Sequence, residues 1–189
     1  MPNWCENRLD IIANTADELK TVLEKVIRIN DHNEEGYQYN DFILDFELLL
    51  PMPKELNIEA NFLPSSQYLA NIEKFGVGNW YEWHCKYWGV KWNANTQYCP
   101  DYDINDTELS IDFDTPWCAP EAWFKTLIDT FPNVTFKLTY FEPGMFFAGI
   151  CSSVESENCY YQYPESTSEV KILAKEFGYE DEDWHCDNE

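Results

Sequence analysis

Three segments alternate apolar and polar residues with a period of two. They are residues 7–12, 109–114 and 134–140. This period is typical of strands that bury one face against a core. Residues 145–154 and 159–163 are joined by a short polar segment and predict a further hairpin. The pattern therefore predicts a sheet that buries one face.

Apolar residues spaced at i, i+3, i+4 and i+7 predict three helices. Thr15 and Glu18 match a capping box, in which each side chain accepts a hydrogen bond from the other residue's amide. Ser166 and Glu169 repeat the pattern before the last helix, and Pro120 suits the first turn of the middle one. The predicted buried stripes are Leu19, Val22, Leu23 and Val26, then Phe124, Leu127, Ile128 and Phe131, and last Val170, Leu173, Ala174 and Phe177.

An aromatic-rich stretch, residues 33–92, separates the first helix from the second alternating strand. We interpret residues 32–66 as a short apolar segment that ends in a turn at Pro51-Met52-Pro53. Residues 67–75 and 79–89 are predicted helices. Aromatic residues surround the axis of the second one, and a helix that is apolar all round is expected to be buried.

Without this stretch, the predicted order is β-α-β-β-α-β, the split βαβ or ferredoxin-like arrangement. Its second strand, within residues 90–99, is inferred from topology rather than from an alternating pattern. We therefore predict an α+β, ferredoxin-like sandwich with an antiparallel sheet and helices on one face. Residues 1–189 are expected to form one domain, with a helical insertion at 33–92 and a hairpin, helix and acidic tail at 151–189.

Composition adds a strong negative charge to this fold. The chain has 35 acidic and 12 basic residues, a net charge of -23, and also eight Trp, twelve Tyr and twelve Phe. That many aromatic residues indicates a folded core despite the charge. Such a surface repels phosphates, so we expect neither nucleic acid nor a membrane as a direct partner, and a basic host protein instead. Candidate contact residues, taken from two acidic segments without bases, are Asp101, Asp103, Asp106, Glu108, Glu180, Asp181, Glu182 and Asp183.

An alternative function uses the aromatic residues as the lining of a small-ligand or enzyme pocket. Burial in the core is the competing interpretation, because aromatic side chains dominate core packing. The candidate pocket residues are Trp80, Trp83, His84, Trp88, Trp92 and Trp117.

Signals for catalysis, metals and cofactors are weak. His84-Cys85 recurs as His185-Cys186, but neither copy has the paired ligand spacing of a zinc site. Residues 101–112 match a calcium loop only in part, because Asp106 replaces its glycine. We therefore predict no cofactor and favour a non-enzymatic role. The chain has neither a signal peptide nor a long apolar run, and its seven Cys lack C-x-x-C spacing, so we expect a cytoplasmic protein with reduced thiols.

Five ordered blocks resemble the YubB-type ferredoxin-like domain family of phage, plasmid and bacterial proteins. They are Pro2-Asn3-Trp4-Cys5-Glu6-Asn7, Pro51-Met52-Pro53, Trp88-Gly89-Val90-Lys91-Trp92-Asn93, Thr115-Pro116-Trp117-Cys118-Ala119-Pro120, and Glu142-Pro143-Gly144-Met145 followed by Phe147-Ala148-Gly149. The resemblance covers most of the chain to about Gly149. It implies a ferredoxin-like fold and a mobile-element setting, and it brings no catalytic residues.

The leading hypothesis is an interaction protein of phage or mobile-element origin. In this hypothesis the acidic chain mimics DNA and inhibits a host nucleic-acid-binding or defence protein. A small-ligand-binding protein or enzyme with an aromatic pocket is the alternative. Acidity that serves solubility alone also stays open.

Overall fold

The computed structural model describes residues 2–34, 37–59, 65–96, 103, 105–154 and 158–180. Its strands and α-helices are, in chain order, β1 (Trp4–Ile12), α1 (Ala16–Val26), β2 (Ile27–Glu34), β3 (Tyr37–Leu44), α2 (Phe46–Leu49), α3 (Ser66–Phe75), α4 (Trp80–Tyr87), β4 (Glu108–Pro116), α5 (Glu121–Thr130), β5 (Thr135–Glu142), β6 (Phe147–Val154), β7 (Asn158–Gln162) and α6 (Thr167–Ala174). Short 3-10 helices lie at Lys54–Leu56 and Lys175–Phe177.

The main sheet is antiparallel and has the order β4-β1-β5-β6-β7. The central strand β1 places Leu9 opposite Ile111 of β4 and opposite Leu138 of β5. Strands β6 and β7 extend the sheet beyond β5, as the C-terminal hairpin predicted from the sequence. The α+β, ferredoxin-like prediction is confirmed.

The second strand of the ferredoxin-like order is reduced to one bridge in the described part of residues 90–99. Asn95 and Asp114 exchange backbone hydrogen bonds of 2.9 and 2.8 Å. This bridge lies on the edge of β4 that faces away from β1, where the split βαβ order requires its second strand. Residues 97–99 of the predicted strand lie outside the described residues.

The capping boxes form, but each carboxylate bonds one residue earlier than expected. The Thr15 hydroxyl accepts from the Glu18 amide at 3.2 Å, while the Glu18 carboxylate accepts from the Asn14 amide at 2.9 Å. At α6, the Glu169 carboxylate likewise accepts from the amide of Glu165. In both helices the acidic residue satisfies the amide just before the N-cap.

Two apolar clusters lie on opposite faces of the sheet. The larger contains the inward row of β1 together with buried residues of α1 and α5, such as Leu19 and Phe124. The smaller joins Phe141 and Ala148 to Val170 of α6. Since α6 packs on β5 and β6, it covers only that half of the second face. In the described chain no α-helix lies over the half formed by β1 and β4, which we call the uncovered half. The second 3-10 helix and Tyr179 lie at its side, where Phe177 contacts Arg8 and the Tyr179 hydroxyl donates to Glu6.

The insertion is not helical throughout, because it begins with a hairpin. β2 and β3 pair from Ile27 opposite Leu44 to Glu34 opposite Tyr37, which corrects the interpretation of this stretch as a short apolar segment. Residues 30–34 of β2 are all polar, so this strand carries no alternation that the sequence could reveal. The helices at 67–75 and 79–89 are confirmed as α3 and α4.

Helix α4 is buried on one side only. Trp83 is buried, whereas Tyr81 is 43% exposed and Cys85 is exposed. The expectation that α4 is enclosed all round is therefore wrong. The aromatic residues on one side of α4 pack into the core, and those on the other side contribute to the surface.

A buried carboxylate and an amide attach the insertion to the rest of the fold. Asn93 Nδ2 donates to Asp45 Oδ1 at 2.6 Å, and Asn93 Oδ1 accepts from the Phe46 amide at 2.8 Å. Asp45 is 3% exposed and forms an ion pair with Arg28. These contacts join the hairpin, α2 and the segment after α4.

We predict that Asn93→Ala lowers the free energy of unfolding by about 1–3 kcal/mol, because it removes one donor from the buried Asp45 carboxylate and the acceptor of the Phe46 amide. Chemical denaturation measures the change. Asn95→Ala is the matched control, since its side chain is exposed and its bridge uses only the backbone. Equal losses in both variants would contradict the role assigned to Asn93.

Candidate functional site

Four of the five sequence blocks that carry the family resemblance, all except Pro51-Met52-Pro53, contribute residues to one end of the sheet. Trp4 lies opposite Pro116, and the Trp117 amide donates to the Asn3 carbonyl at 2.9 Å. Gly144 is so close to Asn3 that a Cβ there would lie 2.4 Å from Asn3 Nδ2. This end, where β1 begins and β4 and β5 finish, is the candidate site.

A buried amide fixes the backbone of this end. Asn7 is 1% exposed, and its Nδ2 lies 2.8 Å from both the Cys5 carbonyl and Thr115 Oγ1. The Thr115 hydroxyl then donates to the Cys118 carbonyl at 2.7 Å. Trp117, between them, has a φ of 67°, a left-handed conformation that is uncommon for a residue other than glycine. The loop after β4 is thereby held in one conformation.

Three exposed indoles lie side by side at the surface of the site. Trp4, Trp92 and Trp117 are 38%, 39% and 47% exposed. The ring centroids of Trp4 and Trp92 are 6.5 Å apart, and those of Trp92 and Trp117 are 5.8 Å apart. We call these three residues the indole cluster. Lys91 Nζ lies 4.5 Å from the Trp92 centroid, so the cluster already holds one cation.

The structure does not gather the six predicted pocket residues into one pocket. Trp83 and Trp88 are buried in the core, and Trp80 is half-buried on α4. His84 stacks on Trp88 with the ring centroids 3.9 Å apart. The other two, Trp92 and Trp117, lie at the surface, where the indole cluster is completed by Trp4, a residue that the sequence interpretation had not included.

His84 connects the core part of this set to the surface part. Its Nδ1 lies 2.8 Å from the Lys91 carbonyl, and its Nε2 is buried with no hydrogen-bond partner among the described residues. Burial lowers the pKa of His84, although the Lys91 carbonyl opposes this shift. A neutral imidazole that donates from Nδ1 accounts for both observations, and it positions Lys91 beside the indoles.

Next to the indole cluster lies the uncovered half of the sheet, which is acidic. Two neighbouring grooves of about 480 and 380 Å³ run along β1 and β4, and Trp4 lines the larger one. We call their charged lining the acidic face. It consists of the carboxylates Glu6, Asp10, Glu108, Asp112, Asp114 and Glu176, with the cations Arg8 and Lys137.

Internal contacts compensate only part of this charge. Arg8 and Asp112 form a two-point ion pair of 2.7 and 3.3 Å, and that hydrogen bonding raises the pKa of Arg8. The Ser110 hydroxyl donates to Asp10 at 2.6 Å. Burial raises the pKa of Glu6, while the hydrogen bond from Tyr179 lowers it. With six carboxylates and two cations, the face has a net negative charge.

Of the eight predicted acidic contact residues, four lie in the described part of the chain. Glu108 is on the acidic face. Asp103 and Asp106 form the turn before β4, where the Asp106 carboxylate accepts from the Asp103 amide at 2.7 Å. Glu180 is exposed, directly after the 3-10 helix and Tyr179. The other four lie outside the described residues and are Asp101, Asp181, Glu182 and Asp183.

Neither metal pattern of the sequence forms a site in the described part of the chain. No group of three or more His, Cys, Asp or Glu there could hold a metal ion. Asp112, the twelfth position of the calcium-like pattern, lies within β4 and pairs with Arg8 instead of ending a loop. His185-Cys186 lies outside the described residues. Within those residues, no helix has both the length and the apolar character needed to cross a bilayer.

Three comparisons place this fold among known proteins. Residues 87–187, more than half of the chain, match the family described as "Ferredoxin-like domain in Api92-like protein". The uncharacterized protein YubB of Escherichia coli (strain K12) is 29% identical over 111 residues, which are 56% of this chain and 68% of YubB. The crystal structure of api92 from Yersinia pseudotuberculosis superposes with a TM-score of 0.49 and 11% identity, over 88% of this chain and 99% of that one.

The His84 geometry predicts an imidazole that titrates below the ordinary pKa of about 6.5. An unfolded chain would bind a proton there that the folded chain does not. The stability contributed by His84 is therefore present above pH about 6.5 and is lost as the pH falls through the lower, folded value. An NMR titration of the imidazoles, assigned with His84→Gln, checks this. A His84 pKa of 6.5 or above would contradict the neutral, Nδ1-donating form.

Proposed function

The chain belongs to the family of ferredoxin-like domains in Api92-like proteins, and we propose that it is a non-enzymatic interaction protein. It binds a basic, nucleic-acid-binding host protein through the acidic face. The negative charge of the acidic face occupies the partner's groove that would otherwise hold DNA. The chain thereby inhibits a host or defence protein on behalf of a phage or other mobile element. The uncovered, acidic half of the sheet is the observation that carries this proposal.

The arrangement of charge supports a protein partner rather than a nucleic acid. The carboxylates of β1 and β4 lie on neighbouring strands, about 4.8 Å apart, and alternate residues along each strand are about 6.8 Å apart. Two rows at this spacing, in which carboxylates outnumber the cation Arg8, attract Lys and Arg side chains and repel phosphates. A groove lined with Lys and Arg side chains is the complementary surface, and association with it weakens as the salt concentration rises.

The location of the negative charge, and not only its amount, supports the proposal. A chain that needs acidity only for solubility can carry it anywhere on its surface. Here α6 covers one half of the second sheet face, and the other half holds five carboxylates, with Glu176 of the 3-10 helix beside them. A grooved sheet face without an α-helix over it, beside exposed indoles, has the character of a docking surface.

The proposal predicts that removing charge from the acidic face weakens binding more than removing it elsewhere. The test variant combines Asp10→Asn, Glu108→Gln and Asp112→Asn. The matched control combines Asp17→Asn, Glu24→Gln and Glu73→Gln, on exposed positions of α1 and α3. Both variants lose three negative charges. Tagged wild type and both variants are used to capture proteins from an Escherichia coli lysate at low and high salt.

We expect the wild type and the control to capture a nucleic-acid-binding protein that duplex DNA and high salt displace. The acidic-face variant should capture it at least about tenfold less well, since charge pairs at interfaces commonly contribute more than 1.4 kcal/mol. An equal loss of captured protein in both variants would show that capture depends on total charge and not on the acidic face. Capture that DNA does not displace would refute mimicry, and no capture at all would leave acidity as a solubility feature.

A further inference from the structure

The indole cluster is a second surface feature that the acidic face does not explain. Three adjoining tryptophans, each more than a third exposed, form an apolar patch on an otherwise strongly charged protein. Exposed patches of this kind mark binding sites, and Trp is enriched among the residues that dominate interface energies. The cluster is therefore a candidate binding surface.

The conformation of Trp117 is evidence that its exposure is not accidental. Its φ of 67° costs energy for a residue with a side chain, and the hydrogen bond to the Asn3 carbonyl holds it there. The result is an indole that projects beside Trp92 and stays 47% exposed. Strain that maintains an exposed aromatic ring points to a contact outside the chain.

One cation of the chain itself lies over the cluster. Lys91 Nζ lies 4.5 Å from the Trp92 centroid, 5.6 Å from that of Trp117 and 5.9 Å from that of Tyr81. These distances are within the range of cation–π attraction. Because Lys91 is itself partly exposed on a long, flexible stem, a second cation can replace it over the rings.

Trp4 joins the cluster to the acidic face. Its ring contacts Trp92, and it also lines the larger acidic groove with Glu6 and Asp114. Glu6 follows Trp4 on the same side of β1, about 6.8 Å along the strand. A planar guanidinium stacked on Trp4 would lie near Glu6, whose carboxylate can accept from its fork of N–H donors. A Lys ammonium has neither the plane nor the fork.

We propose that the indole cluster is the arginine-binding part of this surface. It binds an Arg side chain of the basic partner, while the acidic face binds the neighbouring Lys and Arg side chains. This inference rests on the proposed function for the identity of the partner class. It adds a chemical preference, Arg over Lys, that charge alone does not give.

Fluorescence polarisation with labelled nona-arginine and nona-lysine peptides of equal charge tests this preference on the full chain. We expect nona-arginine to bind about two- to fivefold more tightly, the ratio that corresponds to one exposed cation–π contact. Trp92→Ala combined with Trp117→Asn should abolish that ratio, because it weakens nona-arginine binding more than nona-lysine binding. Asn is chosen at 117 because it tolerates the left-handed backbone. Leu69→Ala, at an exposed apolar position of α3, is the control for lost surface area.

Lys91→Met is expected to strengthen nona-arginine binding, whereas the double Trp variant weakens it. Removing the resident cation should increase nona-arginine affinity more than Lys86→Met does, although both substitutions delete one positive charge. Lys86 lies on α4, over Tyr87 rather than over the indole cluster. Circular dichroism of every variant establishes that the fold is retained.

Each outcome separates this inference from the proposed function. If the double Trp variant keeps the wild-type ratio, or weakens both peptides equally, the arginine assignment is refuted while the acidic face still stands. If the acidic-face variant and its control bind both peptides equally well, the proposed function fails instead. Concentration-dependent dimerisation of the wild type that the double Trp variant loses would assign the cluster to a second copy of this chain and overturn the inference.

Discussion

The structure depends on β1, whose two rows of side chains face opposite environments while both of its edges are hydrogen-bonded. The inward row, which includes Leu9 and Ile11, packs into the core under α1 and α5. The outward row contains Trp4, Glu6 and Arg8. A shift of one residue in its pairing would exchange these rows and bury charge. The register of β1 therefore fixes the core and the candidate site together.

Coverage of the second sheet face explains where the charge lies. Burying carboxylates beneath a helix would cost several kcal/mol for each unpaired ion, so the strands under α6 present apolar residues such as Phe141 and Ala148. The strands without a helix can carry acid because water solvates it. The same segregation places the carboxylates next to the indole cluster, which gives one continuous surface with charge at one end and aromatic rings at the other.

Local signals in the sequence were sufficient for much of the fold. Alternation and capping boxes predicted the strands, α1 and α6, and the order of elements predicted the ferredoxin-like arrangement. The β2–β3 hairpin was missed because the end of β2 is polar. The candidate site was predicted only in part, since it depends on pairing between distant segments. Arg8 and Asp112 are 104 residues apart, and only the strand register brings them together. Trp4 gave no sign in the sequence that it would adjoin Trp92.

An NMR titration of the ¹⁵N-labelled full chain with nona-arginine tests most directly whether the uncovered half of the sheet and the indole cluster form one binding surface. We predict that the largest chemical-shift changes occur at the amides of Glu6, Arg8 and Asp112 and at the indole N–H groups of Trp92 and Trp117. Changes that are spread evenly over the surface, or that concentrate on α1 and α5, would contradict it.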